Sequence, residues 1–194
     1  MILLDKGDTR LILETCKKHK LLRNQTAYVL ATAYWETART MKPVREYGGE
    51  RYLKSKKYYP YVGMGYVQLT WLFNYKWASD LLGVDFVKHP RKLLEPKHSA
   101  EIIVIGMKTG AFTKKKLSDY ITLKDSDYIS ARRIVNGTDK AREIADLATD
   151  YEALLLREGY GVDNDTNTNP KPKPSLFGAL ASLVRLILDL FKGK

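Results

Sequence analysis

Residues 24–39 carry apolar side chains at Ala27, Leu30, Ala31, Tyr34, Trp35 and Ala38, the three-four spacing of one buried helical face. Met41, Lys42 and Pro43 end that helix, because the residue before a proline is pushed out of the α region. An earlier helix is predicted over 8–20, with Asp8 as N-cap and Leu11, Ile12 and Leu13 ahead of a basic end at Lys17 to Lys20. Helical signals return at 71–82, 97–112, 126–135 and 139–157. The last segment places Ala141, Ile144, Ala145, Ala148, Tyr151, Leu154 and Leu155 on one face. Residues 44–70 break this pattern. Glycines, tyrosines and a proline crowd VREYGGERYLKSKKYYPYVGMGYVQLT, which predicts irregular loop with a small hairpin or meander around 51–53 and 65–69.

The pattern changes again near the C-terminus. Residues 160–175, YGVDNDTNTNPKPKPS, have no apolar periodicity and read as a flexible linker. Beyond them Leu176, Phe177, Leu180, Leu183, Val184, Ile187, Leu188 and Phe191 form a broad apolar helical face. Ser182, Arg185, Asp189 and Lys192 form one polar stripe. A cationic amphipathic helix of this kind lies in a membrane interface, and this one is too short and too charged to span. Arg185 and Lys192 would meet the anionic surface; the competing reading is a helix packed back on the domain. The chain thus divides into a domain at 1–159, a linker at 160–175 and a helix at 176–194.

Composition narrows the partners. The net charge of +11 favours an anionic one: nucleic acid, a phospholipid surface or an envelope polymer. No helix-turn-helix, RNA-binding or zinc signature is present, so nucleic acid is not expected. The single cysteine, Cys16, excludes an intrachain disulfide and suits a reducing compartment. MILLDKGDTR lacks a basic n-region and a long apolar run, so no signal peptide is expected. His19, His89 and His98 show no metal-ligand spacing, and no metal or cofactor is predicted.

Candidate chemistry begins with Glu36, which follows Tyr34 and Trp35 in an otherwise apolar helix, and with Glu46, ten residues on and past a proline. Glycoside hydrolysis commonly uses two carboxylates, a proton donor and an ionised partner, on opposite sides of the scissile bond. A donor with a raised pKa needs an apolar or aromatic wall. Glu50 competes with Glu46 for the second role. Arg45–Glu46 and Glu50–Arg51 also read as ordinary surface charges worth roughly 0–1 kcal/mol in any pairing. In YYPYVGMGYVQLT, Gly63 and Gly65 permit close backbone approach, while Tyr61 and Tyr66 offer faces for sugar rings. Gln68 and Thr70 share one side if this is a strand. The competing reading is a hairpin with core tyrosines.

Three segments in order, spanning about 26–151, resemble glycoside hydrolase family 19, and within it the phage endolysins. YWETARTMKPVRE is similar to the family's catalytic helix and following loop. GMGYVQLTWLFNY is similar to its GRGYIQLT…NY motif, and RRIVNGTDKAREIADLATDY to its NGG segment. The departures are WETAR for HETGG, Met64 for an arginine, and Thr138 for a glycine. The resemblance implies a mostly α-helical, lysozyme-like fold with a small β element at a cleft, and hydrolysis of β-1,4 bonds between amino sugars. It implies Glu36 as general acid, Glu46 as general base and Thr70 as holder of the attacking water. Gln68, Asn74 and Asn136 would bind substrate, alongside Tyr61 and Tyr66.

The resulting expectation is a monomeric endolysin that cuts bacterial peptidoglycan, made in a host cytoplasm and acting at the cell wall after release. The C-terminal helix would engage the bacterial membrane. The alternatives are a chitinase and a non-enzymatic membrane-permeabilising protein.

Overall fold

A computed structural model describes residues 2–161. The linker from 162 and the whole helix assigned to 176–194 lie outside the described residues. Among the described residues six α-helices carry the fold: α1 (Thr9–Lys18), α2 (Arg23–Glu36), α3 (Glu50–Lys54), α4 (Leu72–Leu82), α5 (Pro96–Thr109) and α6 (Ala141–Arg157). Three 3-10 turns, Pro90–Leu94, Leu117–Asp119 and Ser130–Ile134, link them. The one sheet among the described residues pairs β1 (Val44–Arg45) with β2 (Met64–Gly65) antiparallel, Val44 opposite Gly65 and Arg45 opposite Met64. The fold is therefore mostly α with a small β element, as the helical periodicity predicts.

Helix α2 is the axis of the core. It packs along α6 and also touches α1 and α5, so residues 26–34 are buried on every side rather than on one face. The sequence tolerates this because its polar positions there are small. The Thr37 hydroxyl just beyond the helix is spent locally, donating to Ala33 O at 2.7 Å. Around α2 the core includes Ile12 and Cys16 of α1, Ile103 and Met107 of α5, and Ile144, Ala148 and Leu155 of α6.

Several local expectations are corrected. Asp8 makes no side-chain cap on α1; its Oδ2 instead accepts the Tyr66 hydroxyl at 2.7 Å. Helix α2 stops at Glu36, three residues before the predicted end, because Ala38 and Arg39 both take left-handed backbone angles (φ 49° and 67°). Residues 51–53 belong to α3, and the strand partner of β2 is 44–45 instead. The segment 126–135 winds only as the short turn Ser130–Ile134. Tyr160, assigned to the linker, packs against the core, and its hydroxyl lies 3.3 Å from Thr26 Oγ1.

Candidate functional site

Helix α2 ends at the floor of a cleft of about 430 Å3. Glu36 lines it together with Gln68, Thr70, Asn74 and Asn136, so five residues singled out in the sequence converge from four separate segments. Trp71, Phe73, Phe112 and Val135 supply apolar walls.

The position of Glu36 follows from how α2 terminates. Arg39 N donates to Tyr34 O at 2.7 Å and Ala38 N to Trp35 O at 3.1 Å, a left-handed helix end built without glycine. The chain then turns back and plugs Met41, fully buried, beside α2. Met41 N donates to Thr37 Oγ1 at 3.1 Å, and Met41 O accepts Asp8 N at 2.8 Å. Glu36 is thereby held at a rigid corner. Its side chain is 18% exposed, and its Oε1 accepts Arg132 Nη1 at 2.8 Å. Arg132 is itself buried and also donates from Nε to Asp139 O at 3.0 Å. This arginine orients the carboxyl and was missed in the sequence, although it lies in the RRIVNGT segment. Its visible signal was a pair of cations, Arg132 and Arg133, in the run ARRIV, but arginines there read equally as surface charges.

The opposite wall is the loop 64–71. Met64 and Leu69 exchange two backbone hydrogen bonds (2.8 and 3.1 Å), which closes the loop tightly. Gln68 sits at φ 52° and β2 ends at Gly65, so the strand expected around 65–69 does not run through Gln68, yet Gln68 and Thr70 both reach the cleft. The Gln68 amide donates to Val44 O at 2.9 Å and to Gly65 O at 3.2 Å, which braces β1 against the loop. The Thr70 hydroxyl donates to Gln68 O at 2.8 Å, leaving its lone pairs to accept a hydrogen bond from a bound molecule. Asn74 Nδ2 donates to Thr70 O at 2.8 Å and fixes the start of α4.

Glu46, the expected second carboxylate, is not among the residues that line the cleft. Its Oε1 accepts the Tyr58 hydroxyl at 2.6 Å and its Oε2 accepts Gly63 N at 2.9 Å. Hydrogen bonding to Glu46 is the main cause that pushes the Tyr58 pKa up to about 12. The Tyr58 ring meets Trp71 edge-on, 5.4 Å between centroids, and Trp71 lines the cleft. A side chain at Gly63 would lie 3.4 Å from Glu46 Cβ and 2.9 Å from Gln68 Oε1, so the missing side chain lets both groups crowd together. Glu50 has a different setting: it is exposed, pairs with Arg45 at 2.7 Å and borders a separate groove.

Two tyrosines depart from the expectation. Tyr66 is fully buried and spends its hydroxyl on Asp8, so it offers no face to a ligand. Tyr61 is half-buried, packs edge-on against Tyr75 at 5.2 Å and does not line the cleft. The aromatic surface at the cleft is instead Trp71 (42% exposed) and Phe73 (62%), whose rings stack at 6.3 Å. Sequence reasoning missed them because WLF reads as the first turn of α4. Trp71 lies just before that helix, at φ 78°, which turns its ring outward. Phe112 reaches the cleft because Gly106 of α5 leaves room for its ring directly against the helix backbone. Among the described residues, no group of three or more metal-binding side chains occurs, and no helix is long and apolar enough to cross a membrane.

With this geometry in hand, comparison with known proteins is informative only at the level of structure. No known family and no curated protein matches the sequence. Two solved structures do match. Chitinase C from Streptomyces griseus superposes with a TM-score of 0.58 at 19% identity, over 77% of this chain and 62% of that one. The chain shares the fold of chitinase C. A glutamate-to-glutamine mutant of chitinase C gives a TM-score of 0.51, again at 19% identity, over 77% and 76% of the two chains. The chain thus spans less than two thirds of the first of these structures, and a likeness at this identity speaks to the fold.

Proposed function

We propose that the protein is a glycoside hydrolase of the phage endolysin type that cuts β-1,4 bonds of bacterial peptidoglycan during host lysis. The observation that carries this reading is the convergence on one cleft of Glu36, fixed by Arg132, with Gln68, Thr70, Asn74 and Asn136. In the proposed reaction Glu36 protonates the glycosidic oxygen of the departing sugar. Water attacks the anomeric carbon from the opposite face and loses its proton to Glu46, with Thr70 accepting a hydrogen bond from that water. Glu46 is preferred to Glu50 because its carboxyl abuts Gly63 and, through Tyr58, the Trp71 wall, whereas Glu50 is tied to Arg45 away from the cleft. Inversion requires the two carboxyls to stand about 6.5–9.5 Å apart with water between them. Trp71 and Phe73 are suited to stack on sugar rings.

Chitin is the second reading, favoured by the chitinase fold. Mass spectrometry of fragments from purified peptidoglycan and from chitin, with wild type and Glu36→Gln side by side, separates the two. Muropeptides with new reducing ends from wild type alone support the endolysin reading, whereas turnover of chitin alone would replace it. The helix at 176–194 is proposed to bind the bacterial membrane. Deleting 170–194 is expected to weaken lysis of intact cells or liposome binding while leaving hydrolysis of purified walls. Unchanged behaviour in both membrane assays would refute that role.

A further inference from the structure

A second groove, of about 680 Å3, opens beside the small sheet. Arg45, Glu50, Tyr59, Met64 and the run Lys88 to Lys92 line it. Four fixed cations (Arg45, Lys88, Arg91 and Lys92) thus face a single carboxylate, and that carboxylate, Glu50, is already held by Arg45. None of the ion pairs among the described residues involves Lys88, Arg91 or Lys92.

These charges stand on a pinned framework. Asp85 O accepts His89 N at 3.0 Å and Asp85 Oδ1 accepts Lys88 N at 2.9 Å. Phe86 and Leu93 anchor the two ends of the run in the core. The turn Pro90–Leu94 packs on β2 because Gly65 has no side chain; a Cβ there would lie 3.3 Å from Leu93 O and 2.6 Å from Ser99 Oγ. Like charges gathered on a rigid turn repel one another, and an arriving anion relieves that repulsion. The floor is partly apolar, made by Tyr59, Pro60, Met64 and Pro90. A bare phosphate chain would leave that floor unused. A peptide that carries carboxylates beside short apolar side chains would satisfy both parts.

The location adds a second argument. Arg45, which lines the groove, directly precedes Glu46, so the groove opens at the strand end that carries the proposed general base.

We propose that this groove is a second wall-binding site, which takes the carboxylate-bearing peptide stems of peptidoglycan. The proposal rests on the reading that peptidoglycan is the polymer. Its test is co-sedimentation of the full-length chain, in a Glu36→Gln background that limits digestion, with purified peptidoglycan freed of lipid and of phosphate polymers. Replacing Lys88, Arg91 and Lys92 together by Gln is expected to raise the apparent Kd about tenfold at low salt, as three modest surface charge contacts sum to. The difference should vanish when the stem carboxylates are amidated, and at high salt. The same triple substitution in active protein should leave cleavage of a neutral β-1,4 amino-sugar oligomer unchanged. Equal binding of the two proteins to native peptidoglycan overturns the proposal, and so does an equal loss on native and amidated walls. Loss of binding to phosphatidylglycerol vesicles with peptidoglycan binding intact would assign the groove to a lipid surface and also overturn it. The binding comparison stands apart from turnover: wild type that binds peptidoglycan through these residues but releases no fragments refutes the hydrolase reading and leaves the groove standing.

Discussion

Arg132→Met is the perturbation that most sharply probes how the cleft is built. The arginine is 4% exposed at its side chain and makes two contacts, Nη1 to Glu36 Oε1 at 2.8 Å and Nε to Asp139 O at 3.0 Å. Methionine fills a similar volume but donates nothing, so the carboxyl of Glu36 and the carbonyl of Asp139 each lose a partner. Removing one member of a buried ion pair costs about 3–5 kcal/mol. Glu36 keeps 18% of its side-chain exposure and regains some water, which puts the expected loss at the low end, about 3 kcal/mol. Glu36→Gln should cost about 2–3 kcal/mol: the amide oxygen still accepts from Arg132, but the buried guanidinium loses its counter-charge. The double variant should be more stable than the sum of the two losses by about 1–2 kcal/mol, since the uncompensated charge is gone. Urea unfolding followed by circular dichroism measures all four proteins, with the denaturant slope expected to stay constant. A loss under about 1 kcal/mol for Arg132→Met, or additive single losses, would refute the view that Arg132 holds Glu36 in place.

Other positions give independent checks. Tyr66→Phe should leave turnover unchanged while lowering stability by about 1 kcal/mol, since its hydroxyl serves Asp8 and not a ligand; a large rise in KM would contradict this. Arg39→Gly should raise stability by about 0.5–1 kcal/mol in thermal unfolding, because a non-glycine residue there holds φ 67°. Gly65→Ala should destabilise by more than about 1 kcal/mol, as φ is 85° and the new methyl would meet Ser99 Oγ at 2.6 Å. Tyr58→Phe is expected to lower kcat while the protein stays folded, because it removes the donor to Glu46; unchanged kcat would argue against Glu46 as base.

The helices were legible because their signal is local. Three-four spacing located α2 and α6, and other helical signals located α1, α4 and α5, to within a few residues; the mostly helical class followed from them. What was not legible depended on tertiary packing. The extent of burial around α2 is set by three helices that arrive from elsewhere in the chain. The end of α2 at Glu36 relies on left-handed Ala38 and Arg39, residue types that carry no such signal. The tyrosines of 58–66 look alike in sequence, yet Tyr66 is buried, Tyr61 packs on Tyr75, and Tyr58 holds Glu46. Burial is a property of the surrounding fold, so composition could not sort them. Arg132 was hidden for the same reason: a partner 96 positions away gives it its role.

The central claim is that Glu36 donates the proton that breaks a glycosidic bond. Its most direct test is the release of reducing ends from purified, lipid-free peptidoglycan by wild type and by Glu36→Gln. The account predicts steady release by wild type and a loss of at least about a hundredfold in the folded variant, the scale of a missing general acid. A Glu36→Gln protein that matches the wild-type rate would contradict it.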